Sequence, residues 1–191
     1  VAGQTKAPRV SAREKLLAAA DELFYAHGIQ SVGIDRIIEH AGVAKGSLYN
    51  TFGSKDELVR AYLASRHAGT TDRLGRAVEA ETDPRQRLLA VFRAQAELFR
   101  EPGFRGCAFV TASAEAPEGG VVERAADQYR ADIRTLFARL ARELGARDPD
   151  ALAAQLQVVY DGAGLAARMD RNPDVARASL ATVEALIGSA L

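Results

Sequence analysis

Lys45, Gly46, Ser47, Asn50 and Thr51 fall on one side of a short helical stretch, and their chemistry is that of hydrogen bonding to a polyanion. One cation, small or amide-bearing donors and acceptors, and a glycine that adds no bulk suit a helix laid in a DNA major groove, where phosphates lie within reach. A second set is the single cysteine, Cys107, with the three histidines His27, His40 and His67. A thiol can sense oxidation or, beside an imidazole, act as a nucleophile. Phe104, Ala108 and Phe109 flank Cys107, with Arg105 near, which are the surroundings of a buried, unreactive thiol. His27 closes the last turn of a helix, where a cation favours the dipole. No Ser-His-Asp set, zinc-type His/Cys spacing, phosphate-binding glycine loop or framed pair of carboxylates is present, so no catalytic residue, metal site or cofactor is expected.

The first set is positioned by two helices and a tight turn. Ile34, Ile37, Ile38 and Ala41 recur at helical spacing, Gly42 supplies the turn, and Val43 and Leu48 point back inward. Such a helix-turn-helix also occurs in proteins that never touch DNA. The residues after the turn are more specific. The block KGSLYNTFGSKDELV, ending in Tyr49, Phe52 and Gly53 to Leu58, resembles the recognition helix and linker of the tetracycline-repressor (TetR) family of bacterial transcription regulators. The resemblance covers roughly Ala12 to Tyr62. It implies Lys45 and Gly46 at base edges and Ser47, Tyr49, Asn50 and Lys55 at phosphates, with Tyr49 shared between core support and phosphate. Two departures stand out. Val32 and Gly33 replace the usual Thr or Ser cap of the second helix, and Ile38 stands where alanine is common.

Length and composition are consistent with one ordinary domain or a small domain joined to a medium one. With 48% hydrophobic residues and no strand-rich segment, the chain is expected to be all-α, with about nine helices. Its apolar runs are too short for a bilayer, and the start lacks an apolar signal core. One cysteine forms no internal disulfide, so a cytoplasmic protein is expected. Net charge is zero, yet all four lysines (Lys6, Lys15, Lys45, Lys55) lie in the first third. Lys6, Arg9, Arg13 and Lys15 precede the first apolar face as a basic arm, or as a solvated tail.

In chain order, Ser11 and Glu14 form a capping box for a first helix that ends near His27, with Gly28 as a left-handed stop. Ser54 and Glu57 repeat the box and open a long fourth helix through His67, Leu74 and Val78. In the family this element links the ligand site to the DNA-binding head. Asp83-Pro84, Asp148-Pro149 and Asn172-Pro173 each pair an N-cap acceptor with proline at the first helical position, and mark the fifth, eighth and ninth helices. The expected division is a helix-turn-helix domain over 1–53 and an effector-binding and dimerisation domain over 54–191.

Three partners are implied by the resemblance: a double-stranded DNA operator, a small-molecule effector and a second copy of the chain. Helices eight and nine carry apolar residues on more than one side, including Val158 and Leu165, as a four-helix dimer interface requires. The effector would lie among His67, Phe92, Gln95, Phe99, Phe109, Tyr129 and Tyr160. The leading expectation is a homodimeric repressor released from a palindromic operator by its effector. Its alternative is the same scaffold switched by oxidation of Cys107, and a third reading is a helical enzyme or an interaction module without DNA binding.

Overall fold

The computed structural model describes residues 10–191, so Lys6 and Arg9 of the expected basic arm lie outside the described residues. Among the described residues there are nine helices and no strand: α1 (Ala12–His27), α2 (Ile34–Ala41), α3 (Gly46–Phe52), α4 (Lys55–Glu79), α5 (Pro84–Phe99), α6 (Ala108–Glu115), α7 (Val121–Leu144), α8 (Pro149–Asp170) and α9 (Val175–Ala190). None is long and apolar enough to cross a membrane. Packing divides the chain into two compact units, the first ending at Tyr62 and the second beginning at Leu63, so that α4 contributes residues to both.

In the first unit, Ser11 Oγ accepts from the Glu14 amide at 3.2 Å, and the Glu14 carboxylate accepts from the Ser11 amide at 2.7 Å. Both arms of the capping box therefore close, and hydrogen bonding to Ser11 holds the Glu14 carboxyl below its ordinary range. The buried face of α1 is Leu16, Ala19, Ala20, Leu23 and Phe24, with Leu17 only half-buried. Against it sit Ile37 of α2, Leu48 of α3 and Leu58, Val59 and Tyr62 of α4, all buried. Phe24 and Tyr62 meet edge to face at 5.4 Å.

Gly42 adopts the left-handed conformation (φ 61°, ψ 42°), and its amide and that of Val43 close onto Glu39 and Ile38 carbonyls. Gly28 does not: its φ of 85° is paired with a ψ of 155°, a region reserved for glycine, so the chain leaves α1 extended. His27, in the last turn of α1, meets a side chain of the next helix. Arg36 Nη2 lies 3.0 Å from its Nε2, and a guanidinium can only donate, so the ring accepts there. The Ser31 hydroxyl covers the His27 carbonyl.

In the second unit, Asp83 and Asp148 cap as their spacing predicts, accepting from Gln86 and Ala151 amides at 2.9 and 3.0 Å with proline next in line. Asn172 does not cap α9. Its Oδ1 accepts from the Asp174 amide at 2.9 Å, forming a side-chain turn, and α9 starts at Val175. Phe92 of α5 stacks on Phe137 of α7 at 5.6 Å, and Leu140, Leu156, Val183 and Ile187 complete a core shared by α5, α7, α8 and α9.

Candidate nucleic-acid interface

α3 owes its orientation to one side chain. Leu48 is fully buried on the first unit's core, which turns Gly46, Tyr49, Asn50 and Thr51 outward as exposed positions and leaves Ser47 half-buried. A Cβ placed on Gly46 would meet nothing nearer than Asn50 Nδ2 at 3.8 Å. Folding therefore does not demand glycine there, whereas close approach of a partner would.

Lys45, just before α3, sits 3.0 Å from Asp35 in the first turn of α2, and both side chains are exposed (76% and 83%). Hydrogen bonding to that carboxylate raises the Lys45 ammonium above its usual range. Sequence alone does not mark Asp35 as part of this face, because the pair spans the turn between two helices. Its place in the first turn of α2 is the only local signal.

Lys55 is differently employed. Its Nζ donates to the Ile29 carbonyl at 2.8 Å and lies 6.0 Å from the Phe24 ring centre, and partial burial lowers the ammonium below its usual range. One of its three donors is thus held by the fold, which fixes the side chain at the end of α3. Arg13 lies over the Phe52 ring at 5.6 Å, a second cation anchored by an aromatic face.

Within the second unit, six of the seven residues proposed for an effector lie together. Phe109 and Tyr129 stack at 4.1 Å, His67 meets both edge-on at 6.3 and 5.6 Å, and Phe92 meets Tyr160 at 6.1 Å. The Tyr129 and Tyr160 phenols influence each other's ionisation, which links the two halves. Gln95 belongs to the same place: its Nε2 donates to the Tyr160 carbonyl at 2.7 Å. Its Oε1 is buried without a hydrogen-bond partner, an expensive condition for an acceptor. Phe99 lies apart, at 5.2 Å from Phe104 in a cluster with Ala96, Ala163, Ala167 and Ala176.

Burial disfavours the charged forms of two phenols and the thiol. It pushes Tyr160 up to about 12, moves Tyr129 well above the ordinary phenol range, and pushes the Cys107 thiol up. Cys107 therefore has less thiolate than a free cysteine, which gives no support to the oxidation-sensing alternative. His67 is held by Asp132, Nε2 to Oδ2 at 3.0 Å. Among the described residues, no group of His, Cys, Asp and Glu could hold a metal ion.

The two buried phenols have a consequence at high pH. A phenol whose folded value exceeds its unfolded one favours the folded state fully below about pH 10, and that contribution is lost as pH climbs through the folded value. Stability should therefore fall from about pH 10 as the pH climbs toward the Tyr160 value of about 12, with Tyr129 acting in the same direction. Phenolate absorbance checks this directly. Tyr129 and Tyr160 should titrate late in the folded chain and normally in denaturant, and a Tyr160→Phe variant should lose one late step.

Comparison with known proteins agrees with this architecture. The model described as bacterial regulatory proteins of the tetR family matches residues 16–62, from within α1 to early α4. FasR of Mycolicibacterium smegmatis, an HTH-type transcriptional activator, is 40% identical over 87 residues, covering 46% of this chain but only 40% of FasR. The match to NemR of Escherichia coli K12, an HTH-type transcriptional repressor, extends to 93% of this chain and 94% of NemR at 30% identity. The crystal structure of SCO4454, a TetR-family regulator from Streptomyces coelicolor, superposes with a TM-score of 0.90 at 35% identity, covering 94% and 95% of the two chains. Helix order, an outward-facing α3 and near-complete alignment at such identities lead to one conclusion: the chain belongs to the TetR family of bacterial regulatory proteins.

Proposed function

We propose that the chain is a homodimeric transcriptional repressor that binds a palindromic DNA operator through α3 and leaves it when a small molecule occupies the second unit. The observation that carries this reading is the outward face of Lys45, Gly46, Tyr49 and Asn50 on a helix pinned from beneath by Leu48. Lys45 and Gly46 would approach base edges, and Ser47, Tyr49, Asn50 and Lys55 would take phosphates. The repressor assignment draws on NemR, which bears that name and matches nearly end to end.

Dimerisation is supported by the surface of α8 and α9. Val158, Gly162, Leu165 and Met169 follow one another at spacings of four, three and four on α8, and the three large ones are 72, 48 and 71% exposed. Ala178, Ala181, Ala185 and Gly188 make a matching exposed stripe of small residues on α9. Apolar knobs beside small-residue grooves are what two copies need to close a four-helix bundle. Such a dimer would set its two α3 helices about 34–36 Å apart, one turn of B-DNA.

For the effector, His67, Phe92, Gln95, Phe109, Tyr129 and Tyr160 supply aromatic walls and a few polar groups, and the orphaned Gln95 Oε1 is an acceptor that a ligand donor would satisfy. Release requires the ligand to prefer the non-binding geometry, by about 10⁴-fold for a nearly complete switch. α4, with residues in both units, is the proposed link.

The test is a gel shift on promoter fragments, beginning with the one beside the chain's own coding region. Lys45→Ala and Tyr49→Phe should each weaken binding by about 5- to 100-fold, the scale of one lost base or phosphate contact. Unaltered affinity in both would remove α3 from the interface.

A further inference from the structure

An acidic side chain is tied to the outward face of α3, and its place there is hard to explain by stability. Exposed ion pairs contribute about 0–1 kcal/mol, and a carboxylate near a phosphate backbone is repelled by it. Asp35 nevertheless stands 3.0 Å from the Lys45 ammonium, with 83 and 76% of the two side chains open to solvent. The simpler explanation, an acid favoured by the α2 dipole, accounts for Asp35 in a first turn but not for its reach across the turn to Lys45.

Resting on the DNA-reading proposal, we infer that Asp35 is a specificity-determining residue, and that Asp35 and Lys45 together read a single G·C base pair. The match is one of hydrogen-bonding pattern. A G·C pair shows the major groove two acceptors on guanine, N7 and O6, followed by the N4 donor of cytosine, an order shared by neither orientation of A·T. Lys45 has three donors, of which one is directed at Asp35, leaving two for N7 and O6. The Asp35 carboxylate has two oxygens, one facing Lys45 and the other available in pattern to accept from N4. The ion pair therefore presents donor, donor, acceptor against acceptor, acceptor, donor. Asp35 also limits where the flexible lysine stem can place its charge, which a lone lysine would spend on the nearest phosphate.

The experiment is selection of the full chain on a pool of DNA duplexes with a randomised central segment, followed by the same selection with Asp35→Asn, Asp35→Ala and Lys45→Ala. Circular dichroism confirms that each variant is folded, which exposed positions should allow. Wild type should enrich duplexes with one G·C pair fixed at symmetric positions, favoured over the other pairs by about 5- to 150-fold. In Asp35→Asn and Asp35→Ala that preference should fall to within about threefold of even, while preferences elsewhere in the site persist. Lys45→Ala should relax the same position.

Retention of the wild-type preference by both Asp35 variants overturns the inference, as does relaxation of different positions by the Asp35 and Lys45 variants. If Asp35→Ala binds every duplex more tightly with an unchanged sequence preference, the carboxylate is only a repulsive charge and the inference is likewise overturned. Should wild type enrich no sequence at all, the DNA-reading proposal falls first and this one with it.

Discussion

In the proposed operator complex, raising the salt from about 50 to about 200 mM should weaken binding by about 10³ to 10⁵, with log affinity falling linearly in log salt. That magnitude corresponds to six to ten phosphate contacts across two subunits, each releasing a condensed counterion. The expectation is demanding because the net charge of the chain is zero. A neutral protein has no general attraction for DNA, so a steep slope must come from where its cations sit. In the first unit several are held near the surface by neighbours: Arg13 over Phe52, Arg36 by His27, Lys45 by Asp35, Lys55 by Ile29 and Arg60 by Glu57 at 2.7 Å. Fluorescence anisotropy over a salt series measures the slope. A loss of less than about tenfold over that range would mean that no more than a couple of phosphates are neutralised, and that α3 does not lie in a groove.

How far such a site could be foreseen depends on the range over which its geometry is decided. Ser11 with Glu14, and Asp83 and Asp148 before proline, act within one helical turn, and each closes as its spacing requires. Gly42 likewise needs only its own backbone and the turn before it. Asn172-Pro173 carries the same local signal yet gives a different result. Asn172 can bond the amide two residues on as readily as one three residues on, and the former takes it in a side-chain turn that delays α9. Gly28 was legible as a stop but not in its ψ, because where the chain goes next depends on Ile29 and Val32, both buried.

The outward face of α3 was legible because Leu48 fixes the phase of a short helix. What each cation on that face does was not. Lys45 and Lys55 are equivalent in sequence as exposed lysines flanking a polar helix. One finds a carboxylate ten residues back and the other a carbonyl twenty-six residues back, and no periodicity encodes either. The second unit obeys the same division. Tyr129 and Tyr160 belong to the apolar stripes of α7 and α8, but their mutual effect on ionisation, and the orphaned Gln95 oxygen beside Tyr160, arise only when α5, α7 and α8 meet.

Replacing Val158 and Leu165 with aspartate should abolish the proposed pairing of two chains and, with it, the proposed tight operator binding. Under two-fold symmetry every substitution enters the interface twice. A carboxylate buried without a partner costs about 3–5 kcal/mol, so even one substitution would raise the dimer dissociation constant by about 10⁴-fold or more. Both side chains are exposed in the single chain (72 and 48%), so the folded subunit itself should tolerate the change, and its helicity and melting should remain near those of wild type. The effect on DNA is then one of geometry rather than chemistry. A lone subunit keeps Lys45, Gly46, Tyr49 and Asn50 but offers one reading helix instead of two at a fixed spacing, so the second half-site no longer binds at a high effective concentration. Sedimentation equilibrium gives the assembly state, and gel shifts on one and two half-sites give the consequence. A variant that still sediments as a dimer would place the interface elsewhere on the second unit. A variant that is monomeric and yet holds the full operator as tightly as wild type would sever the link between pairing and recognition.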